Sequence, residues 1–186
     1  MNQHRHQFRI LIQKESYKFS ATHFTVFGPG HAERLHGHNY AVAVECGVNA
    51  LDEMGMAFEF NSLKPRIKQI ADLWDEYVLI PTSNPHIQIH AESIQGVPHT
   101  IVDFSHKSYR FPDSDVVQLA VRNITSEELA KEFLEKLVSA WMDSMPADER
   151  SSLQSRLCWI EVSVEETRGQ KAACRRDFNP NSGISA

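Results

Sequence analysis

Cysteine is scarce in this chain: only Cys46, Cys158 and Cys174 occur, far apart and odd in number. They form neither a disulfide framework nor a Cys-x-x-Cys pair, which favours a reducing compartment. Long apolar runs are missing too, so no segment is predicted to cross a membrane. Residues 1–9 lack the apolar core of a signal peptide. We therefore expect a cytoplasmic protein without a membrane partner.

Blocks of lysine or arginine are also missing. The formal net charge is -5 with histidine neutral, whereas nucleic acid binding needs a basic patch, so nucleic acid is not an expected partner. A hydrophobic content of 41% and a charged content of 23% are typical of a globular protein. We expect one domain over residues 1–186, with disordered ends at about residues 1–6 and 180–186.

What the chain does contain is a group of histidines near its beginning. His36 and His38 flank a glycine, and residues two apart in a strand point to the same face. His23 ends an upstream segment in which apolar and polar residues alternate, so it is expected to face inward and to need a partner. A carboxylate, Glu33, lies beside the pair. Three neutral imidazoles with a fourth position left open are typical of catalytic Zn²⁺ sites, and we predict zinc here rather than solvated histidines.

Alternating apolar residues predict strands over residues 8–23, 36–48, 158–166 and 172–178. Apolar residues at helical spacing predict two amphipathic helices, over residues 63–78 and from Thr125 to Pro146, followed by a polar loop. Asn61 or Ser62 can cap the first helix, and Thr125 with Glu128 forms a capping box for the second.

Between the helices, we predict a β excursion near residues 86–115 and a further strand over residues 117–121. The order of elements, without tight βαβ alternation, favours an α+β fold in which two helices cover one face of an antiparallel sheet.

Five segments resemble, in the same order, the 6-pyruvoyl-tetrahydropterin synthase family, which includes the 6-carboxy-tetrahydropterin synthases (QueD) of queuosine biosynthesis. These segments are FSATH at 19–23, HGHNY at 36–40, GMAFEFNSLK at 55–64, TSEELA at 125–130 and VSVEET at 162–167. The resemblance implies a tunnelling (T) fold, a four-stranded antiparallel sheet with two helices on one face. It also implies a homo-oligomer, a trimer or hexamer, with active sites at subunit contacts. Residues 84–115 exceed the family's minimum and match no segment of it.

The resemblance also assigns roles to side chains. The three histidines become the zinc ligands, and Glu166 becomes the anchor of a pterin substrate. A carboxylate accepts two hydrogen bonds from the guanidine-like edge of a pterin. Thr125 and Glu127 fall at binding-site positions of the family. For Thr125, a role as helix cap alone remains an equally good interpretation.

Two departures from the family pattern concern catalysis. The cysteine base of the family is replaced by Ala32, and the family's Asp-His pair reads Asp75-Glu76 here. However, Glu33 begins a Glu-x-x-His-Gly-His segment, which resembles a branch of the family in which glutamate replaces the cysteine. That branch cleaves the side chain of 7,8-dihydroneopterin triphosphate to yield 6-hydroxymethyl-7,8-dihydropterin, a folate precursor. The catalytic residues implied are Glu33 as base, with Asp75 and Glu76 as partners.

The predicted function is therefore a zinc-dependent lyase that cleaves a dihydropterin side chain by a retro-aldol step. Burial of Glu33 is expected to raise its pKa toward the working pH. One alternative is formation of 6-carboxy-5,6,7,8-tetrahydropterin or of 6-pyruvoyl-tetrahydropterin. Another is a zinc- and pterin-binding protein without catalysis. The histidine of the family's Asp-His pair belongs to its proton relay, and a histidine of the excursion can replace it here; the candidates are His86, His90, His99 and His106.

Overall fold

The computed structural model describes residues 7–178, so the expectations for the two chain ends lie outside the described residues. Within this range the strands are β1 (Phe8–His23), β2 (Val26–Gly28), β3 (His31–Ala32), β4 (His36–Val48), β5 (Tyr77–Pro81), β6 (Gln88–Ile94), β7 (Val97–Phe104), β8 (Lys107–Pro112), β9 (Val116–Leu119), β10 (Leu157–Thr167) and β11 (Gln170–Asp177). The helices are α1 (Lys64–Asp72), α2 (Ser126–Asp143) and α3 (Ala147–Arg156).

The central sheet has the strand order β11-β10-β4-β1-β5-β9. Its first four strands pair antiparallel, which confirms the predicted four-stranded core. β5 then joins β1 in parallel, and β9 joins β5 in parallel. The sheet is therefore larger than predicted and mixed. β1 is long and interrupted, as expected, with a register shift between Gln13 and Lys18.

Helix α1 ends at Asp72, whereas the prediction extended it to residue 78. The chain turns at Glu76, whose φ of 65° is incompatible with a continuing helix. The apolar run Tyr77–Pro81 then forms β5. The predicted cap was also wrong, because Leu63 is the N-cap and makes no side-chain cap bond. Ser62 instead accepts a hydrogen bond from Trp141 Nε1, at 2.9 Å, and donates to a backbone carbonyl.

Helix α2 begins as predicted, because the Thr125 hydroxyl accepts a hydrogen bond from the Glu128 backbone N–H at 3.4 Å. The polar loop predicted after α2 is wrong, since α3 occupies most of it. Only Leu153 is buried in α3, so this helix has no apolar stripe from which it could be predicted. Acidic residues in its first turn and Arg156 in its last favour it through the helix dipole.

The main core lies between the sheet and helices α1 and α2, which cover the same face. Phe19 of β1 stacks on Tyr40 of β4, with ring centroids 4.8 Å apart. Trp74 lies edge-on to Phe19 and to Phe133 of α2, at 5.4 and 5.5 Å. Through this aromatic cluster, α2 and the segment after α1 pack on β1 and β4, the strands that carry the predicted histidines.

Replacement of Phe133 by alanine tests this core. Phe133 has no exposed surface, so we expect the Phe133→Ala variant to lose about 3–5 kcal/mol of unfolding free energy, because a buried aromatic ring is replaced by a cavity. Urea unfolding at fixed protein concentration measures the loss. Leu73→Ala is the control, since Leu73 is 61% exposed and should cost less than about 0.5 kcal/mol. Equal losses in both variants would contradict the assignment of the core.

The predicted excursion is confirmed as a separate antiparallel sheet of three strands, in the order β6-β7-β8, which we call the inserted sheet. A second apolar cluster joins it to the rest of the chain; its buried members are Phe24, Val26, Ile80, Val102 and Phe104. The inserted sheet therefore packs on the segment that follows β1. None of the helices within residues 7–178 combines the length and apolarity needed to span a membrane.

Candidate functional site

The pairing of β1 with β4 brings the three predicted histidines together. His23 lies directly opposite His36, and Ala21 lies opposite His38. The alternation of β4 turns His36 and His38 to the same face. One ligand atom from each of the three side chains lies within 4.8 Å of those of the other two. The antiparallel register therefore produces the convergence that the sequence predicted.

Hydrogen bonds to backbone carbonyls set the orientation of two of these rings. His23 Nδ1 lies 3.0 Å from the Ile124 carbonyl oxygen, and His36 Nδ1 lies 2.7 Å from the Arg34 carbonyl oxygen. A carbonyl only accepts, so each Nδ1 donates and each Nε2 keeps its lone pair. Burial lowers the pKa of His23 and outweighs the charge of Glu166, which would raise it. The neutral ring is therefore favoured. Together with His38, these two imidazoles fit the donor set of a Zn²⁺ ion.

Tyr40 connects the histidines to Glu166. Its side chain is fully buried, and its hydroxyl lies 3.1 Å from His23 Nε2. The same hydroxyl donates to Glu166 Oε1 at 3.1 Å. That carboxylate oxygen is also 3.3 Å from His23 Nε2 and 3.6 Å from His38 Nε2. Burial, and then the charge of Glu166, raise the pKa of Tyr40, so its phenol stays protonated and holds the carboxylate toward the imidazoles.

Glu33 lies between β3 and β4 and is tied to Thr25 in both directions. The Thr25 backbone N–H donates to Glu33 Oε2 at 3.1 Å, and the Glu33 N–H donates to the Thr25 carbonyl at 2.9 Å. Burial alone raises the pKa of Glu33, but hydrogen bonds from Thr25 and the nearby His36 and His23 outweigh it and lower the pKa. The expectation of a raised pKa was therefore wrong, because the Thr25 hydrogen bonds and the nearby imidazoles together outweigh the effect of burial.

These groups surround a polar cavity of about 300 Å³. It is lined by Thr25, Glu33, His36, His38, Thr125, Ser126, Glu127, Glu166, Gln170, Lys171 and Ala172. The beginning of α2 supplies one wall, and the beginning of β11 supplies another. The Glu33 carboxylate, the His36 and His38 imidazoles and the Glu166 carboxylate thus face one space of ligand size.

Two of the predicted catalytic residues, Asp75 and Glu76, do not line this cavity. Asp75 Oδ1 accepts a hydrogen bond from the Ser20 backbone N–H at 2.7 Å. Glu76 lines a different pocket of about 240 Å³, beside outward residues of β1 and β4 such as Thr22 and Asn39. Neither Asp75 nor Glu76 therefore lines the Glu33 cavity of the same chain, although His38 lines both pockets. The lining of that cavity includes none of the four histidines considered as a relay; these are His86, His90, His99 and His106.

Sequence reasoning assigned no site role to Tyr40, Thr25 or Lys171. Tyr40 could have been found, because it continues the inward row of His36 and His38 along β4. Thr25 and Lys171 carry no such signal, since they enter the cavity through a hairpin and a sheet edge that form only on folding.

Residues 11–177 match a model of the family described as 6-pyruvoyl tetrahydropterin synthase. The chain belongs to this family. A candidate 6-carboxy-5,6,7,8-tetrahydropterin synthase of Methanocaldococcus jannaschii is 28% identical over 160 residues, which cover 86% of this chain and 90% of that protein. A candidate synthase of the same description from Pyrococcus abyssi is 30% identical over 131 residues, covering 70% and 73% of the two chains.

Solved structures of 6-pyruvoyl tetrahydropterin synthases share the fold. The proteins of Plasmodium vivax and Plasmodium falciparum each have a TM-score of 0.80 and 23% identity to this chain; 92% of this chain and 99% and 98% of theirs are covered. Another structure is of a P. vivax variant, described as a catalytic residue mutant, in which a glutamate is replaced by alanine. The fold of the present chain is therefore the T-fold of the 6-pyruvoyl tetrahydropterin synthase family.

Proposed function

We propose that this protein is a zinc-dependent lyase that cleaves the side chain of 7,8-dihydroneopterin triphosphate to give 6-hydroxymethyl-7,8-dihydropterin. The observation that carries the proposal is that Glu33, two of the converging histidines and Glu166 line one cavity, while the buried His23 completes the histidine group. Membership in the 6-pyruvoyl tetrahydropterin synthase family supports a pterin as the substrate class. The catalytic glutamate described for the P. vivax protein supports a glutamate as base.

The metal site follows from the donor set. His23, His36 and His38 would hold zinc, with His23 and His36 oriented by the carbonyls of Ile124 and Arg34. Once bound there, zinc supplies Lewis-acid polarisation of substrate hydroxyl groups, which makes their protons easier to remove.

Glu166 and the beginning of α2 bind and orient the pterin. The Glu166 carboxylate is held by the Tyr40 hydroxyl through one oxygen, and it can accept the two parallel N–H donors of the pterin's guanidine-like edge. Thr125 and Glu127 line the same cavity. The Thr125 hydroxyl caps α2, and its exposure to the cavity allows it to contact the ring as well. This arrangement turns the substrate side chain toward Glu33.

Glu33 then acts as the base. Its lowered pKa keeps it ionised at neutral pH, so it can accept the proton of the 2′-hydroxyl group. The C1′–C2′ bond breaks, its electron pair moves to C1′ and the conjugated ring, and the 2′ oxygen becomes that of an aldehyde. A proton then adds to C1′. The products are 6-hydroxymethyl-7,8-dihydropterin and a two-carbon aldehyde that carries the triphosphate.

Incubation of the zinc-loaded protein with 7,8-dihydroneopterin triphosphate tests this function. Mass spectrometry should detect 6-hydroxymethyl-7,8-dihydropterin together with the triphosphorylated two-carbon aldehyde. Release of inorganic triphosphate instead would contradict retro-aldol cleavage. The absence of any product from this and other pterins would contradict the proposal as a whole.

A second candidate function is formation of 6-carboxy-5,6,7,8-tetrahydropterin, which is favoured by the descriptions of both archaeal relatives. Against it, the family's cysteine position is Ala32, and the cavity lining includes no cysteine. The same mass spectrum distinguishes the two reactions, because the second gives 6-carboxy-5,6,7,8-tetrahydropterin and a different fragment.

Glu166→Gln tests the anchor. The amide offers only one acceptor atom, and its N–H₂ group opposes a donor of the pterin, so we expect binding to weaken about 10- to 100-fold. Fluorescence titration of the zinc-loaded protein with dihydroneopterin measures this. Glu161→Gln is the control, because Glu161 lies on the same strand but not on the cavity. Equal affinities of the two variants would show that Glu166 is not the anchor.

We propose a catalytic role for Asp75 and Glu76 only in an assembly, where they would act in the cavity of a second copy of the chain. The family resemblance implies active sites at subunit contacts, where these two residues of one copy would approach the Glu33 cavity of another. Their position next to Ser20, at the surface of β1, leaves their segment partly accessible for such a contact.

A further inference from the structure

The inserted sheet reaches the segment that carries Glu33. Lys107, the first residue of β8, is partly buried, and its Nζ donates a hydrogen bond to the Glu33 backbone carbonyl at 2.9 Å. The two residues are 74 positions apart in the sequence. An ammonium group gives a charge-assisted hydrogen bond, which is stronger than a neutral one. The carbonyl that accepts it is therefore held by a distant part of the chain.

The apolar neighbours of Glu33 pack on the same sheet. Ala32 and Leu35, on either side of Glu33 along the chain, are partly buried against the second apolar cluster. Phe24, which precedes Thr25, lies 5.5 Å from the Tyr109 ring of β8 and 6.4 Å from the Phe104 ring of β7, measured between centroids. The inserted sheet thus contacts the Glu33 segment through apolar side chains as well as through Lys107.

These contacts leave Glu33 little freedom. Its backbone N–H donates to the Thr25 carbonyl, its carbonyl accepts from Lys107, and its carboxylate accepts from the Thr25 N–H. At the adjoining hairpin of β2 and β3, the Asn123 side chain bonds both the N–H and the carbonyl of Val26. With both backbone groups of Glu33 occupied, the side chain projects into the cavity.

We propose that Lys107 is a positioning residue that makes the inserted sheet part of the catalytic apparatus. It holds the backbone of Glu33 so that the carboxylate faces the imidazoles at a fixed distance. Small displacements of a reacting group lower rates strongly, by about a hundredfold for 1 Å. The catalytic part of this inference rests on the proposed function, whereas the coupling of Lys107 to the Glu33 segment does not.

Amide hydrogen exchange tests the coupling without any substrate. Lys107→Met keeps the apolar stem and removes the ammonium group, so we expect the Glu33 amide to exchange about 10- to 100-fold faster in this variant, in the full-length protein. Amides where β4 pairs with β10 should be unchanged. Lys107→Arg, which can still donate, should keep most of the protection. Unchanged exchange at Glu33 in Lys107→Met would overturn the proposal.

Steady-state kinetics test the catalytic part. Lys107→Met should lower kcat about 10- to 100-fold with little change in KM, and Lys107→Arg should restore most of it. In a Glu33→Gln background, Lys107→Met should have no further effect, because the base it positions is already gone. An equal loss in both backgrounds would show that Lys107 acts elsewhere. Lys107→Gln, too short to reach the carbonyl, is the second variant and should behave like Lys107→Met.

The two proposals can fail separately. If the wild-type protein converts no pterin, the proposed function is wrong, yet the exchange experiment still decides whether Lys107 holds the Glu33 segment. If the wild-type protein is active and Lys107→Met retains full kcat, the function stands and the positioning role is wrong.

Discussion

Replacement of Glu33 by glutamine is expected to lower kcat about 10²- to 10⁴-fold, the usual contribution of a general base. Glutamine keeps the size of the side chain and can still accept the hydrogen bond from the Thr25 N–H, which lies 3.1 Å from Glu33 Oε2. It cannot accept the substrate proton. The structure of the cavity should therefore survive while the proton transfer is lost. Steady-state kinetics with 7,8-dihydroneopterin triphosphate, together with zinc content, measure the effect.

Glu53→Gln is the matched control, since Glu53 is exposed on the turn before α1 and is absent from the cavity lining. Its kcat should equal that of the wild type. If Glu33→Gln retained full activity, another group would have to be the base. If the wild-type protein bound a pterin and zinc without forming product, the non-catalytic alternative would be correct.

Mixed assemblies extend this test to Asp75. Asp75→Asn preserves an acceptor for the Ser20 N–H, which the carboxylate now binds at 2.7 Å. If Asp75 of one copy completes the cavity of another, both single variants should be impaired. Mixing Glu33→Gln with Asp75→Asn subunits, after dissociation and reassembly, should then restore part of the activity, because some sites combine two intact residues. If both variants are impaired and mixing restores no activity, Asp75 does not complete the cavity of another copy.

Replacement of His38 by alanine is expected to weaken zinc binding by more than about 100-fold and to abolish turnover. Loss of an outer hydrogen-bond partner of a metal ligand already costs about 10- to 100-fold in affinity, and loss of a ligand itself should cost more. His38 is the ligand of choice for this experiment, because its side chain is 27% exposed, whereas that of His23 is 1% exposed. Its removal therefore leaves the core intact.

Zinc affinity is measured by competition with a chelator, and turnover is measured on the same samples. His90→Ala is the control, because His90 is an exposed histidine of the inserted sheet. That variant should keep both properties. Removal of zinc from the wild type should reproduce the His38→Ala phenotype, and added zinc should reverse it in the wild type only. Equal zinc affinity of His38→Ala and wild type would contradict the metal site.

The histidine group illustrates how much of a site local pattern can predict. His36 and His38 share a face because side chains alternate along a strand, and His23 shares the parity of the apolar residues before it. The antiparallel strands and the Thr125 cap were predicted in the same way, whereas the T-fold was implied by the family resemblance. Motifs in family order added the role of Glu166 as a pterin anchor, which stays a prediction; the structure places its Oε1 3.3 Å from His23 Nε2.

The pKa of Glu33 shows where such reasoning fails. The direction of its shift depends on a balance. Burial raises the pKa, whereas the Thr25 hydrogen bonds and the nearby imidazoles lower it. Only the folded chain sets the distances on which that balance depends. The same holds for Asp75 and Glu76, which the family resemblance associates with Glu33 but which do not line the Glu33 cavity of the folded chain.

By itself, the sequence determined the antiparallel strands, the amphipathic helices and the inward placement of the three histidines that converge in the structure. Periodicity and caps act over a few residues, so they can be read locally. Tertiary structure alone decided that β5 and β9 extend the sheet, that α3 replaces a loop, and that Lys107 holds Glu33 from 74 positions away. These features depend on packing and strand pairing between residues far apart in the sequence, so a short segment cannot predict them.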